Sequence, residues 1–269
     1  MGVVIYKLNG KILKTSDNKI LGYEKAAYEE KLADNTWAQI QQGLRDGNPM
    51  GWAVGDTKDL TLTDGNTYSI RLVDLQEGRY ESTDGVKCKA TFEFIPLLKG
   101  ITRAMNSTQK TYGSVTNYTA GGWLNSDMRT YIKTSVESLI PDELSSVMLT
   151  NKVGSASYGG SGQADTTAGG VIIYSDGDKL FLPAQTELDS TEYDYNTMHA
   201  LYPEFDYYKL HDTNSDRIKR RLGETSGYSY WNRSPSCDYS GYFCTIDSGG
   251  NAGDSSANGA GAVALCFTL

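Results

Sequence analysis

From Asn232 to Leu269 the chain contains no Lys, Glu, Gln, Met or Trp. Lys and Glu are among the commonest residues of globular proteins, and both are frequent earlier in these 269 residues. Other scarcities exclude whole classes of function. Only His199 and His211 are present, so a Ser-His-Asp or His-metal site has to use one of them. His199 lies among Tyr and Leu and reads as a packed ring. His211 precedes Asp212 with no motif-supported nucleophile beside it. No two of Cys88, Cys237, Cys244 and Cys266 form a Cys-x-x-Cys pair, which argues against zinc and for buried thiols. Lys and Arg number 25 against 33 Asp and Glu, a net charge of −8. Nucleic acid, which needs clustered basic surface, is therefore not an expected partner. The one basic run, Arg217, Lys219, Arg220 and Arg221, reads at helical spacing as a solvated face. No apolar run reaches the ~18 residues that suggest a membrane span. MGVVIYKLNGKILK alternates apolar residues with Lys and does not read as a signal peptide, so cytosolic synthesis without a classical leader is expected.

What is present suggests one large domain, or one domain with a small appendage. The 29 Gly and 19 Tyr point to a loop-rich fold with many aromatic anchors. Residues 4–14 alternate around Asn9-Gly10, a type I′ hairpin signal. Thr36 and Gln39 fit a capping box before a helix carrying Trp37, Ile40 and Leu44, which Gly47-Asn48-Pro49 stops. Residues 1–50 thus form a small α/β appendage. Residues 60–63 and 67–73 flank Asp64-Gly65-Asn66 as a second hairpin, and 89–98 reads as a strand. A helix starts near Asn125-Ser126 and stops before Pro141, and another follows that proline. Residues 154–170 read as a flexible Gly/Ser segment. Residues 171–174 and 179–182 form a hairpin-like pair, and 188–211 a surface excursion held by rings. A short helix at about 215–222 ends at Gly223, and 262–267 is a buried core strand. Helices placed between strand pairs, with no regular βαβ repeat, make the fold class α+β.

Several segments together resemble one family. WAVGD at 52–56, GGWLNSDMR at 121–129, DKLFLP at 178–183, and YWNRSP at 230–235, followed by a Gly/Asn/Ala-rich run and a closing AVAL strand, are similar to the DUF6273 group. That resemblance covers about residues 52–269. It implies a C-type lectin-like fold related to formylglycine-generating-enzyme-type domains, over 51–269.

The terminal stretch also resembles the variable region of target proteins of diversity-generating retroelements, in which template adenines are copied with errors. Randomising both adenines of an AAC codon yields Asn, Asp, Ser, Gly, Tyr, Thr, Cys, Ala, His, Arg, Pro, Ile, Val, Leu or Phe. It cannot yield Lys, Glu, Gln, Met or Trp, the residues missing here. The resemblance makes Arg233-Ser234-Pro235, Phe243-Cys244, Gly250, Ala252, Ala257 and Val263-Ala264 a fixed frame. It makes the diversified, ligand-binding set, within about 232–261, Asn232, Cys237, Asp238, Tyr239, Gly241, Tyr242, Thr245, Asp247, Ser248, Gly249, Asn251, Gly253, Asp254, Ser255, Ser256, Asn258, Gly259 and Gly261. Relatives often carry Leu where this chain has Asn232.

The resulting expectation is a receptor-recognition or adhesin protein, not an enzyme, without cofactor or metal. Its partner would be a protein or other macromolecule on a target cell. Its place would be a phage or prophage tail, or a bacterial surface, with residues 1–50 as the attachment module. Tyr, Ser, Gly and Asn are also what binding loops favour. Two alternatives stand beside it. One is a formylglycine-generating-enzyme-like oxidoreductase using Cys237 and Cys244. The other is a structural virion protein whose terminal stretch is a static Gly/Ser-rich loop. Calcium is not expected, because Asp212-x-Asn214-x-Asp216 has Arg217 at its sixth position and no closing Glu at Gly223. That segment reads as a helix N-cap. Trp52, Trp123 and Trp231 read as core.

Overall fold

A computed structural model describes residues 5–8, 11–16, 19–24, 28–162, 169–190 and 193–269. The first strands, β1 (Ile5–Leu8), β2 (Lys11–Ser16) and β3 (Lys19–Glu24), form an antiparallel three-stranded sheet. The expected hairpin has Ile5 opposite Lys14 and Leu8 opposite Lys11; its Asn9-Gly10 turn lies outside the described residues. The sequence reading missed β3, whose Lys-Ile-Leu start repeats part of β2.

Helix α1 (Trp37–Arg45) starts as its capping box requires. The Gln39 amide donates to Thr36 Oγ1 at 3.2 Å and the Thr36 amide to Gln39 Oε1 at 2.9 Å. Gly47 and Asn48, both at positive φ, turn the chain out of it. Its apolar face carries Trp37, Ile40 and Leu44, all buried. The Trp37 ring meets Phe92 and Phe267 edge-on at 5.8 and 5.7 Å, so this helix shares a core with strands far beyond it.

Two larger sheets make up the body. The first has the order β16-β6-β5-β4, from β4 (Thr57–Thr61), β5 (Thr67–Asp74), β6 (Thr91–Phe94) and β16 (Cys266–Thr268), all antiparallel. The second has the order β14-β13-β12-β15-β7. Its strands are β7 (Thr102–Arg103), β12 (Tyr230–Pro235), β13 (Tyr242–Ile246), β14 (Ala252–Ser256) and β15 (Gly261–Val263). The β12–β15 pair is parallel. Two small hairpins complete the strands, β8 (Lys110–Tyr112) with β9 (Val115–Asn117), and β10 (Gly154–Ala156) with β11 (Ile172–Tyr174). The terminal segment expected as a single core strand is buried throughout, but it divides between the sheets. Residues 261–263 pair in the second and 266–268 in the first.

The helices are short. Helix α2 (Asp127–Tyr131), capped by Ser126, runs on through a wider π turn, Ile132–Val136, and a tight turn, Glu137–Leu139. After Pro141 comes α3 (Asp142–Ser145). Then follow α4 (Gln185–Leu188), α5 (Asn196–Leu201), α6 (Asp206–Leu210) and α7 (Asn214–Arg217). The chain is thus mixed α and β, sheet-rich with few helices.

Several local expectations need correction. Residues 188–211 are not a surface excursion: Tyr195, Met198, Tyr202, Phe205 and Tyr208 are buried, because each short helix turns its rings inward. The segment from Gly154 opens with β10, and β11 pairs with β10 rather than with residues 179–182. Phe181 bridges Cys266 instead. The basic run is not a solvated helical face. Helix α7 ends at Arg217, the chain then extends, and Arg217 and Lys219 point inward. Lys219 Nζ donates to Glu93 Oε2 at 2.8 Å and to the Phe94 carbonyl at 2.9 Å.

Candidate functional site

The C-terminal stretch is built on a buried frame. Trp231 Nε1 donates to the Arg103 carbonyl at 2.7 Å. Arg233, fully buried, donates from Nε to the Gly154 carbonyl and from Nη1 to the Leu182 carbonyl, each at 2.9 Å, and from Nη1 to Glu187 Oε2 at 2.7 Å. Its guanidinium also lies 4.5 Å from the Tyr202 ring centre. Burial alone works against its charge, but Glu187 beside it keeps the pKa above the ordinary value. A buried charge held this way makes the frame depend on every partner. Ser234, Pro235, Phe243, Cys244, Ala257, Val263 and Ala264 are buried as well. Gly250 has φ +85°, and a Cβ there would lie 1.7 Å from the Asn214 carbonyl oxygen, so only glycine fits.

The expected variable positions divide by depth. Asp238, Tyr239, Tyr242, Asp247, Ser248, Gly249, Asn251 and Asn258 are exposed, and Gly241, Gly253, Asp254, Ser255, Ser256 and Gly259 half-buried. Asn232, Cys237, Thr245 and Gly261 point inward. Asn232 Nδ2 donates to Gln185 Oε1 at 2.5 Å. A Cβ on Gly261 would sit 2.5 Å from Trp231 Nε1. These inward residues do not contribute side chains to the outer surface. Ser240 and Ala260 are exposed on the same stretch and escaped the sequence reading. Their residue types are reachable from the same codon, so the signal for them was present.

The outward positions gather at the two ends of the β13–β14 hairpin and along β14, an edge strand. At one end Asp247 organises the turn, accepting from the Gly249 and Asn251 amides at 2.8 and 2.9 Å. Partial burial opposes its charge, but these donors hold its pKa below the usual carboxylate value. Asn214 Nδ2 donates to Asn251 Oδ1 at 2.6 Å and Arg217 Nε to the Gly250 carbonyl at 3.2 Å, fastening the turn to α7. At the other end, residues 236–240 lie on the segment expected to be flexible. The Gly160 and Gly162 amides donate to the Ser236 and Cys237 carbonyls at 3.0 Å, and Thr119 Oγ1 to the Ser240 carbonyl at 2.9 Å. The Tyr239 and Tyr242 rings stand 5.1 Å apart on this end. Ser236 Oγ donates to Asp254 Oδ2 at 2.6 Å, tying the loop to β14.

The rival chemistry has buried thiols to work with. All four cysteines are buried. Burial pushes the Cys237 thiol up to about 12 and the Cys244 thiol well above its ordinary value. Cys244 Sγ donates to the Tyr193 carbonyl at 3.3 Å. The Asp212-x-Asn214-x-Asp216 oxygens do not converge on one point. Arg217 donates to Asp212 Oδ1 at 3.1 Å and Asn214 Oδ1 at 2.8 Å, while Thr213 donates to Asp216. Among the described residues no group of three or more His, Cys, Asp or Glu could hold a metal ion. No helix there is long and apolar enough to cross a membrane.

Residues 99–269 match the family described as Domain of unknown function (DUF6273), and the chain belongs to that family. The matched span contains the whole five-stranded sheet and leaves out α1, β4, β5 and β6. It also leaves out WAVGD at 52–56. No curated protein and no solved structure matches the chain significantly.

Proposed function

We propose that this DUF6273 chain is a non-covalent recognition protein whose β13–β14 hairpin is rewritten by a diversity-generating retroelement. The domain is C-type lectin-like, related to formylglycine-generating-enzyme-type domains. The partner is a protein or other macromolecule on a target cell, met from a phage tail or a bacterial surface, with the N-terminal region ahead of α1 attaching the domain to its assembly, since α1 itself packs into the core. The observation that carries this reading is the division by depth. Trp231, Arg233, Pro235, Phe243, Ala257 and Val263, the frame, are inside, while of the eighteen expected variable positions eight are exposed, six half-buried and four buried. Side chains on such a surface can change without disturbing the core, because exposed substitutions usually alter stability by about 0.5 kcal/mol or less. Tyr239 and Tyr242 add rigid contact area at low entropic cost, and Asp238, Ser248, Asn251 and Asn258 add adaptable hydrogen bonds. The inward Asn232, Cys237, Thr245 and Gly261 act through the frame.

Recognition is favoured over oxidoreduction because Cys237 and Cys244 are both buried, and that burial raises both thiols and so disfavours the reactive thiolate. The test of diversification is the DNA beside the gene. A near-copy of the codons for about 232–261, differing only at template adenines and lying next to a reverse transcriptase gene, is expected. A flanking region with no such repeat withdraws diversification. The binding surface is then tested alone, by whether Tyr239→Ala with Tyr242→Ala abolishes attachment to the target cell.

A further inference from the structure

The second sheet has another edge, β7, on the far side from β14. Four inter-strand spacings of about 4.8 Å put the two edges roughly 19 Å apart. Beside β7 lies a 640 Å³ cleft between Thr102–Ala104 and the α2 helix with its π turn, lined by Arg103, Ser107, Asp127, Thr130, Tyr131 and Thr134 among others. That volume is in the range of small-ligand sites.

The charges in the cleft are unequal. Asp127 is fully engaged: Oδ2 accepts from the Ser107 amide and hydroxyl, each at 2.9 Å, and Oδ1 from Lys110 Nζ. Arg103 is exposed, lies 4.1 Å over the Tyr131 ring, and pairs with no acidic side chain among the described residues. In a chain of net charge −8 this leaves a planar, ring-supported cation facing the cleft, a geometry suited to a carboxylate.

The hydroxyls have a direction too. Thr134 Oγ1 donates to the Thr130 carbonyl at 2.8 Å, Thr130 Oγ1 to the Ser126 carbonyl at 3.3 Å, and Ser107 Oγ to Asp127. With their protons engaged, Ser107, Thr130 and Thr134 have only lone pairs left to offer, so these three hydroxyls call for hydroxyl donors on the ligand. One carboxylate acceptor and several hydroxyl donors on a small frame describe an acidic sugar.

We propose that the cleft between β7 and α2 binds an acidic saccharide, its carboxylate on Arg103 and its hydroxyls on Ser107, Thr130 and Thr134. The site lies wholly outside 232–261, so it stands or falls independently of the hairpin surface.

The test is calorimetric titration of the full chain with trigalacturonate, its methyl ester, and an acidic Asp/Ser tripeptide. Trigalacturonate is expected to bind, with the ester and the tripeptide at least tenfold weaker. Arg103→Gln should weaken trigalacturonate at least tenfold, Arg103→Lys less, and Thr134→Val about threefold, all with unchanged circular dichroism. Asp59→Asn, exposed on β4 of the first sheet, should leave binding as it is. No trigalacturonate binding up to millimolar concentration overturns the proposal. So does an ester or tripeptide that binds equally well, or binding that persists unchanged in Arg103→Gln.

Discussion

Gly261 and Gly250 fix the backbone by having no side chain, as Trp231 and Phe243 fix it by filling space. Gly261→Ala places a methyl 2.5 Å from Trp231 Nε1 and is expected to cost about 2 kcal/mol, the usual penalty of overpacking. Tyr239→Ala, on an exposed ring, is expected to stay within about 0.5 kcal/mol. Urea denaturation of the two variants measures both, and equal effects would refute the division between frame and surface. Asp194 gives a pH dependence. It is fully buried, Oδ2 has no partner, and burial raises its pKa to about 7 from about 4 in the unfolded chain. Between those values the unfolded chain has lost the proton that the folded chain keeps, so this group's stabilisation falls as pH rises from about 4 to about 7. Asp194→Asn removes that slope, and its advantage over the wild type in urea midpoint should be larger at pH 8 than at pH 5. His199 also titrates low because it is half-buried, but it is common to both proteins and cancels. Nothing local in Asp-Tyr-Asn at 194–196 announces a buried carboxyl. The Ser234 side chain that hydrogen-bonds to it stands on β12, forty residues on in the chain.

Strand β13 with β14 is the element that has to hold a shape while its surface changes. Its register runs from Tyr242 opposite Ser256 to Ile246 opposite Ala252, and its ends are fastened through backbone groups and the side chains of Ser236, Asp247, Asn251 and Asp254. Replacing Asp238 by Ser, Tyr239 by Asn, Tyr242 by Ser and Asn258 by Ser together is therefore expected to leave the thermal midpoint within a few degrees. Target-cell attachment should be lost, and a collapse of the midpoint would show that these side chains support the fold. Much of this element could be read in advance. The missing residue types outlined the stretch, and the apolar Phe243-Cys244 and Ala257 marked its inward side. The α1 capping box was legible for the same reason, since a cap is made within four residues. The basic run was not. At helical spacing it looks solvated, but the helix stops at Arg217 and the extended chain carries Lys219 to Glu93, a partner 126 residues away.

Over the whole molecule, the family-matched span and the folding unit do not coincide. Strand β16 lies inside residues 99–269, but its partner β6 lies outside, as do Trp37 and Phe92, which pack on Phe267. A fragment of residues 99–269 is expected to unfold without cooperativity, exposing Cys266 and Phe267, whereas the full chain melts in one transition. A cooperative melt of the fragment at the full-length midpoint would show that the first sheet is dispensable.

The sequence by itself determined what is made locally: the β1–β2 and β4–β5 hairpins, the α1 cap, the α2 start at Ser126 and the residue types allowed after Asn232. Each depends on neighbours within a few positions. The tertiary structure alone decided depth and partnership. It sent residues 261–263 to one sheet and 266–268 to the other, drew Asn232, Cys237, Thr245 and Gly261 inward, and paired Arg233 with Glu187. The physical reason is that burial and charge pairing are set by surfaces distant in the chain, and an Asn that faces water is written with the same letter as an Asn that faces Gln185.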